Sequence, residues 1–142
     1  MTMKFKVSRA DMWSATIEDQ PGGAARVLDP VAKAGANFEF AFARRAPELP
    51  GKGLLFVLPV KGAKVLQAAQ AAGLAKAEGI HTVRMEGANR PGTSAAIVRA
   101  LANAGISFRA FSATAVGRKF AGFLALDSAE DAARVVSALK KL

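Results

Sequence analysis

The sequence predicts an α+β protein made of two ferredoxin-like βαββαβ domains, each an antiparallel sheet with helices on one face. The first observation is a repeat: Gln20-Pro21-Gly22-Gly23-Ala24-Ala25 returns as Arg90-Pro91-Gly92-Thr93-Ser94-Ala95. A period of roughly seventy residues is longer than the ~20–50 residues of a solenoid repeat, so each copy is long enough for a small domain. The second observation is that segments of period two alternate with segments of helical periodicity in both copies. Their order, βαββαβ, is that of the ferredoxin-like arrangement.

The first copy shows all six elements. Trp13, Ala15 and Ile17 alternate with polar neighbours, which predicts a strand, and a turn cluster follows it. Val27, Leu28 and Val31 then have helical spacing, with Pro30 expected to bend the helix. The predicted strands span residues 12–17, 38–43, 54–58 and 74–77, and the predicted helices span 24–34 and 62–72.

The second copy repeats this order but ends at Leu142 before a fourth strand. Residues 3–7 precede the first copy, which does not need them, and they alternate polar and apolar side chains. We therefore expect this segment to pair beside the second sheet in place of the missing strand. The predicted domains are residues 1–78 and 79–142, with strand 3–7 pairing with the second.

Composition limits the class of protein. Half of the 142 residues are hydrophobic, which suits a folded core, and cysteine is absent, which excludes disulfides, thiolate metal sites and a cysteine nucleophile. No apolar run has the length of a signal peptide or of a membrane span, so we expect a cytoplasmic protein without membrane contact. The net charge of +9 is compatible with anionic partners, but the basic residues are scattered, as on a solvated surface.

Catalytic and metal sites have little support. His81 is the only histidine and lies at the junction of the copies, so no histidine cluster exists for a metal or a catalytic triad. No carboxylate pair suited to acid–base work and no phosphate loop is found. We predict no catalytic residues, no metal and no cofactor.

The turn motif resembles the ACT domain family. The residues that carry the resemblance are Asp19-Gln20-Pro21-Gly22 with Ala34-Gly35-Ala36-Asn37-Phe38, and Asn89-Arg90-Pro91-Gly92 with Ala104-Gly105-Ile106-Ser107-Phe108. The resemblance extends from about Met12 to Leu142. It implies a non-catalytic regulatory protein that binds a small molecule, most often an amino acid, between the turn of one domain and the sheet edge of a neighbour.

The resemblance also implies the ligand-binding positions. They comprise the turn, the first helical residues and the start of the second strand of each copy: Asp19, Gln20, Gly22, Gly23, Ala24 and Asn37, and Asn89, Arg90, Gly92, Thr93, Ser94 and Ser107. Independently of the family, amides at a helix N-terminus favour a carboxylate, and glycine lets a ligand approach the backbone. The same residues are also ordinary turn and capping residues, and that role alone would explain them.

The two turns differ in charge. Asp19 suits an ammonium group, whereas its counterpart is the neutral Asn89, and Gln20 is replaced by Arg90, which attracts a carboxylate. The two sites are therefore expected to be unequal, or one of them silent.

Two further inferences concern partners. The run Leu54-Leu55-Phe56-Val57-Leu58 does not alternate, and Ala41 and Phe111 are expected on the face opposite Phe38 and Phe108, which predicts a homodimer or close packing of the two copies through the sheet face. A regulated protein partner of unknown identity is also implied, because no catalytic domain is attached.

The alternative to an amino-acid-binding regulator is a nucleic-acid-binding module using a basic ferredoxin-like surface. The lack of tyrosine and of a basic-aromatic motif disfavours this alternative.

Overall fold

The computed structural model describes residues 3–142, which divide into two compact units. The first unit comprises residues 11–77, and the second comprises residues 3–10 with 78–142. The N-terminal segment thus groups with the second repeat, beside whose sheet it was expected to pair.

The first unit has the order βαββαβ. Its elements are β2 (Trp13–Glu18), α1 (Gly23–Lys33), β3 (Phe40–Arg45), β4 (Lys52–Leu58), α2 (Ala63–Ala71) and β5 (Ala75–Lys76). The sheet is antiparallel with strand order β3-β4-β2-β5. Helix α1 runs through Pro30 without ending there. The core lies between the sheet and the two helices. Trp13, Leu55 and Val57 contribute to it from the sheet, and Val31 of α1 and Ala69 of α2 pack against them.

The second unit has the same architecture, completed by a strand from the N-terminus. Its elements are β1 (Lys6–Ala10), β6 (His81–Ala88), α3 (Thr93–Asn103), β7 (Ala110–Val116), β8 (Lys119–Leu126) and α4 (Ala129–Lys140). The strand order is β1-β6-β8-β7, so β1 takes the edge that β5 takes in the first sheet. Ser128 caps α4 by accepting a hydrogen bond from the Asp131 amide at 3.0 Å.

Strand β1 contributes to the second core. It pairs antiparallel with β6, with Val7 opposite Met85. Val7 is 8% exposed and belongs to the core cluster that contains Met85 and Leu124. The strand begins and ends three residues later than the predicted segment 3–7, and Phe5, which precedes it, also packs against this core.

The fold class predicted from the sequence is confirmed, but the faces of two strands differ from expectation. Phe111 packs against the second core instead of lying on the open face, and Ala41 pairs with the core residue Val57. The reason is that β3 begins only at Phe40. Phe38 lies before the strand and packs against the core from there, so the alternation of side chains along β3 cannot be counted from Phe38. The open face of the first sheet instead carries Phe42 and Phe56, whose rings stack with centroids 6.5 Å apart.

Candidate functional site

The first turn joins β2 to α1 through a compact backbone arrangement. The Gly23 amide donates to the Gln20 carbonyl at 3.0 Å, and the Asp19 amide donates to the Gly51 carbonyl at 3.0 Å. Gly22 precedes α1 with φ +88°, a conformation that side chains with a Cβ rarely adopt. No side chain caps α1, so its first-turn amides point outward without a side-chain acceptor.

Gly23 holds the start of α1 against the end of β2. A Cβ built on Gly23 would lie 2.0 Å from the Glu18 carbonyl oxygen, far inside van der Waals contact. The absence of a side chain is therefore what lets the helix begin this close to the strand. Gly23 is buried, so this glycine shapes the site but does not offer a surface to a ligand.

An ion pair crosses the mouth of the first turn. Arg45, the last residue of β3, donates from Nε to Asp19 Oδ2 at 2.5 Å and from a terminal nitrogen to Oδ1 at 3.4 Å. The hydrogen bond to Asp19 raises the pKa of Arg45 above its ordinary value, and the carboxylate charge adds to that shift. The Asp19 side chain is 31% exposed and that of Arg45 is 75% exposed, so the pair stays within reach of solvent and ligand.

A cavity of about 460 Å³ opens beside this pair. Its neighbouring charges are also paired: Lys52 contacts Glu18 at 2.5 Å, and Arg44 contacts Glu48 at 3.2 Å. The cavity is lined by Ile17, Glu18, Asp19, Gln20, Pro21, Ala24, Ala43, Arg44, Arg45 and Gly53. Charges of both signs therefore face one small space at the open end of α1.

The second turn has the same backbone but a different lining. Gly92 has φ +83° and precedes α3, again without a side-chain cap. The Asn89 side-chain amide donates to the Gly117 carbonyl at 3.1 Å and so ties the turn to the β7–β8 hairpin. Ala115 lies at the position that corresponds to Arg45. The cavity here is about 260 Å³ and is lined by Asn89, Arg90, Gly92, Thr93, Ser94, Ala95, Ala113, Thr114, Ala115 and Phe120.

Thr93 replaces Gly23 as the first helical residue of the second unit. Its hydroxyl donates to the Arg90 carbonyl at 2.7 Å, and the residue is 4% exposed. The amide distance to the same carbonyl is 3.3 Å, against 3.0 Å for the Gly23–Gln20 pair. The second turn therefore holds a side chain where the first turn excludes one.

Asn37 and Ser107 do not meet the turn of their own unit. Each precedes the strand β3 or β7 whose far end approaches the turn, so each lies at the opposite end of its sheet. Asn37 lines a separate cavity of about 470 Å³ with Gly35, Ala36, Glu39, Pro59, Lys61 and Val65. Within one unit, the predicted binding residues therefore divide into a turn group and a distant strand-start position.

The comparison with protein families identifies the second repeat. The model of the ACT domain family matches residues 81–142. This match lies within the second unit. The resemblance inferred from the turn motif is thereby confirmed, and the β6-turn-α3 segment that carries the second cavity lies inside the matched region.

Solved structures share the fold of two successive ferredoxin-like units over almost the whole chain. A protein from Bacteroides thetaiotaomicron is 18% identical, with a TM-score of 0.74 over 96% of this chain and 99% of that chain. The regulatory subunit of aspartate kinase from Thermus thermophilus is 19% identical, with a TM-score of 0.64 over 95% and 93%. The corresponding subunit from Thermus flavus is 18% identical, with a TM-score of 0.57 over 96% of both chains. No match was found among curated proteins.

Sequence reasoning missed the cation that pairs with Asp19 at the first turn. Arg45 reaches Asp19 only because β3 and β4 pair with Arg45 opposite Gly53, which places the end of β3 beside the turn. The sequence showed Arg44-Arg45 as a basic pair, but not which turn it would meet. In residues 3–142 no group of three His, Asp or Glu side chains is placed to hold a metal ion, and no helix there is long and apolar enough to cross a bilayer.

Proposed function

We propose that this tandem ACT protein is a non-catalytic regulator that binds an amino acid at the first turn. The observation that carries the proposal is the Asp19–Arg45 pair at the mouth of a cavity beside the open end of α1. An amino acid is a zwitterion, so a site for it needs an acceptor for the ammonium and donors for the carboxylate. This cavity offers both within one small space.

Each half of the ligand has a partner of suitable chemistry. The Asp19 carboxylate is an acceptor for the ammonium group, and Arg45 is a fork of donors matched to a carboxylate. The amides of Ala24 and Ala25 in the first turn of α1 also favour an anion. Because the Asp19–Arg45 pair is exposed and such pairs contribute little to folding, a ligand that replaces its hydrogen bonds can compete with it.

The same charges argue against catalysis at this site. Glu18 and Asp19 are paired with Lys52 and Arg45, so neither carboxylate is left without a partner to act as a general acid or base. The output is therefore proposed to pass to a regulated protein partner in the cytoplasm, without a cofactor and without nucleic acid.

A second copy of the chain is proposed to close the site. Asn37 lies at the far end of its own sheet, so it reaches a turn only if that turn belongs to another domain. A homodimer that brings the strand start of one domain to the turn of another would place Asn37 against the ligand, as the family resemblance implies.

Calorimetric titration and thermal melting with the common amino acids test this proposal. Binding to the native state alone adds RT ln(1 + [L]/Kd), about 2.7 kcal/mol at a hundredfold excess over Kd. Asp19→Asn should remove most of the response by deleting the ammonium acceptor. Asp29→Asn is the matched control, since Asp29 is exposed on α1 and does not line the cavity.

Two results would overturn the proposal. One is the absence of any amino-acid response at millimolar concentration. The other is an equal loss of response in Asp19→Asn and Asp29→Asn, which would make the effect one of net charge. If either result were combined with retention on heparin that falls steeply with salt, a nucleic-acid-binding function would be favoured instead.

A further inference from the structure

A fourth cavity, a cleft in the second unit, lies between the N-terminal segment and the second turn. It has a volume of about 340 Å³ and is lined by Met3, Lys4, Phe5, Ala88, Arg90 and Thr93. It shares Arg90 and Thr93 with the cavity already described at the second turn. The turn motif did not indicate this cleft, because half of its lining comes from residues that precede β1.

The N-terminal wall of this cleft has a defined position. The Phe5 ring packs against the second core, with its centroid 6.3 Å from that of Phe120. A Cβ on Gly87 would lie 3.1 Å from Phe5 Cδ1 and 3.3 Å from the Lys4 carbonyl oxygen. The backbone of residues 4–5 therefore lies directly on the end of β6, and it places Lys4 at the same cleft as Arg90.

The charge of this cleft differs from that of the first-turn cavity. Among the described residues that line it, Lys4 and Arg90 carry a charge and none is an aspartate or a glutamate. The Thr93 hydroxyl is already donated to the Arg90 carbonyl. Met3, Phe5 and Ala88 supply apolar surface beside the two cations. An ammonium group would thus meet two like charges, whereas an anionic group would meet two cations from separate parts of the chain.

We propose that this cleft binds a compact organic anion that lacks an ammonium group, held through a carboxylate or phosphate by Lys4 and Arg90. Lys4 is a compact point charge and Arg90 a planar fork, and both suit these anions. Because one cation comes from the N-terminal segment and the other from the second turn, a bound anion bridges them. Occupancy therefore stabilises the pairing of β1 with β6 and couples the ligand to the edge of the second sheet. The proposal goes beyond amino-acid binding at the first turn and does not depend on it.

The test uses inorganic phosphate and succinate as probes of the full chain, with sodium chloride at equal ionic strength as the reference. Affinity is measured by titration calorimetry, and the protection of the β1 amides by hydrogen exchange. We expect saturable binding of at least one probe and slower exchange in residues 6–10. Binding of phosphate alone would indicate a ligand that carries a phosphate, and binding of succinate alone would indicate one that carries a carboxylate. Either outcome supports the proposal that the cleft binds an anion.

Charge-removal variants locate the binding. Lys4→Gln and Arg90→Gln should each weaken the probe about tenfold, equivalent to about 1.4 kcal/mol. Lys6→Gln is the matched control, because Lys6 carries the same charge on β1 but does not line the cleft. Equal affinity losses in Lys4→Gln and Lys6→Gln would overturn the proposal, as would a loss confined to Arg90→Gln or no binding beyond the chloride reference. Since amino acids are not the probes, failure here leaves the first-turn proposal standing.

Discussion

The ring of Phe5 lies 6.3 Å from the ring of Phe120, centroid to centroid, at an angle of 51°. The two residues come from opposite ends of the chain, and each packs in the core of the second unit. The contact shows that the ACT domain matched at residues 81–142 is completed by residues that precede the first repeat. Its stability should therefore depend on the N-terminal strand.

Truncation of Val7 tests this dependence. Val7→Ala should destabilise the second unit by about 1–3 kcal/mol, because it removes buried methyl groups opposite Met85. Hydrogen exchange resolved by unit should show faster opening in β6 and β8, with the first unit unchanged. Ser8→Ala, at an exposed position of the same strand, is the control. Equal exchange in the two variants would show that the strand does not support the core.

Much of this architecture could be predicted from the sequence because its signals are local or repeated. The repeated Pro-Gly turns indicated two copies of one domain. Because no strand pattern follows the helix of Val136 and Leu139, the N-terminal segment was predicted to complete the second sheet. These signals do not determine which residues of β7 face the core. Phe111 packs against the core because of where the strand begins after Ser107, and period two alone does not fix a starting point.

The site was less predictable because its charges come from distant segments. Asp19 and Arg90 were found from the turn motif, but Arg45 and Lys4 were not. Arg45 reaches the first turn through the register of β3 with β4, and Lys4 reaches the second turn through the packing of Phe5. Both relationships are tertiary, and neither leaves a pattern in the residues near the turn.

Alanine substitution of Gly23 and of Thr93 should destabilise the protein for different physical reasons. Gly23→Ala places a Cβ 2.0 Å from the Glu18 carbonyl oxygen, so α1 must shift, and we expect a loss of about 1–3 kcal/mol in the free energy of unfolding. Thr93→Ala should cost about 1 kcal/mol through its lost hydrogen bond to the Arg90 carbonyl. Chemical denaturation measures both. A Gly23→Ala protein as stable as the parent would show that the first turn can hold a side chain, as the second turn does.

Phe42 should control self-association. It is 48% exposed and stacks on Phe56, on the sheet face away from the helices. An apolar pair on an open sheet face favours burial against another surface. We expect a dimer at micromolar concentration in light scattering and a monomer for Phe42→Ser. Leu49→Ser, at a 46% exposed position in the loop before β4, should remain dimeric. A monomeric parent protein would contradict the proposed homodimer.

The Arg44–Glu48 contact should be visible as a shifted carboxyl titration. The Glu48 pKa lies below the ordinary value of a glutamate, first because its carboxylate accepts a hydrogen bond from its own backbone amide and second because Arg44 donates to it at 3.2 Å. A lowered folded-state pKa means that the stabilising contribution is present above the unfolded-state pKa and disappears as the pH falls through the folded-state value. Carboxyl NMR should therefore place the Glu48 midpoint below that of an unfolded peptide.

Replacing Arg44 separates the two causes of that shift. Arg44→Gln should raise the Glu48 pKa only part of the way, because the backbone hydrogen bond is the larger cause and persists. Arg26→Gln removes the same charge from the exposed face of α1 and should leave the Glu48 midpoint in place. Arg44 lines the first-turn cavity, so protonation of Glu48 removes one partner of a guanidinium there, while its hydrogen bond to the Arg45 carbonyl remains. If Arg44→Gln restored the full peptide value, the arginine would be the main cause, and the loop after β3 would not hold the carboxylate through its own backbone.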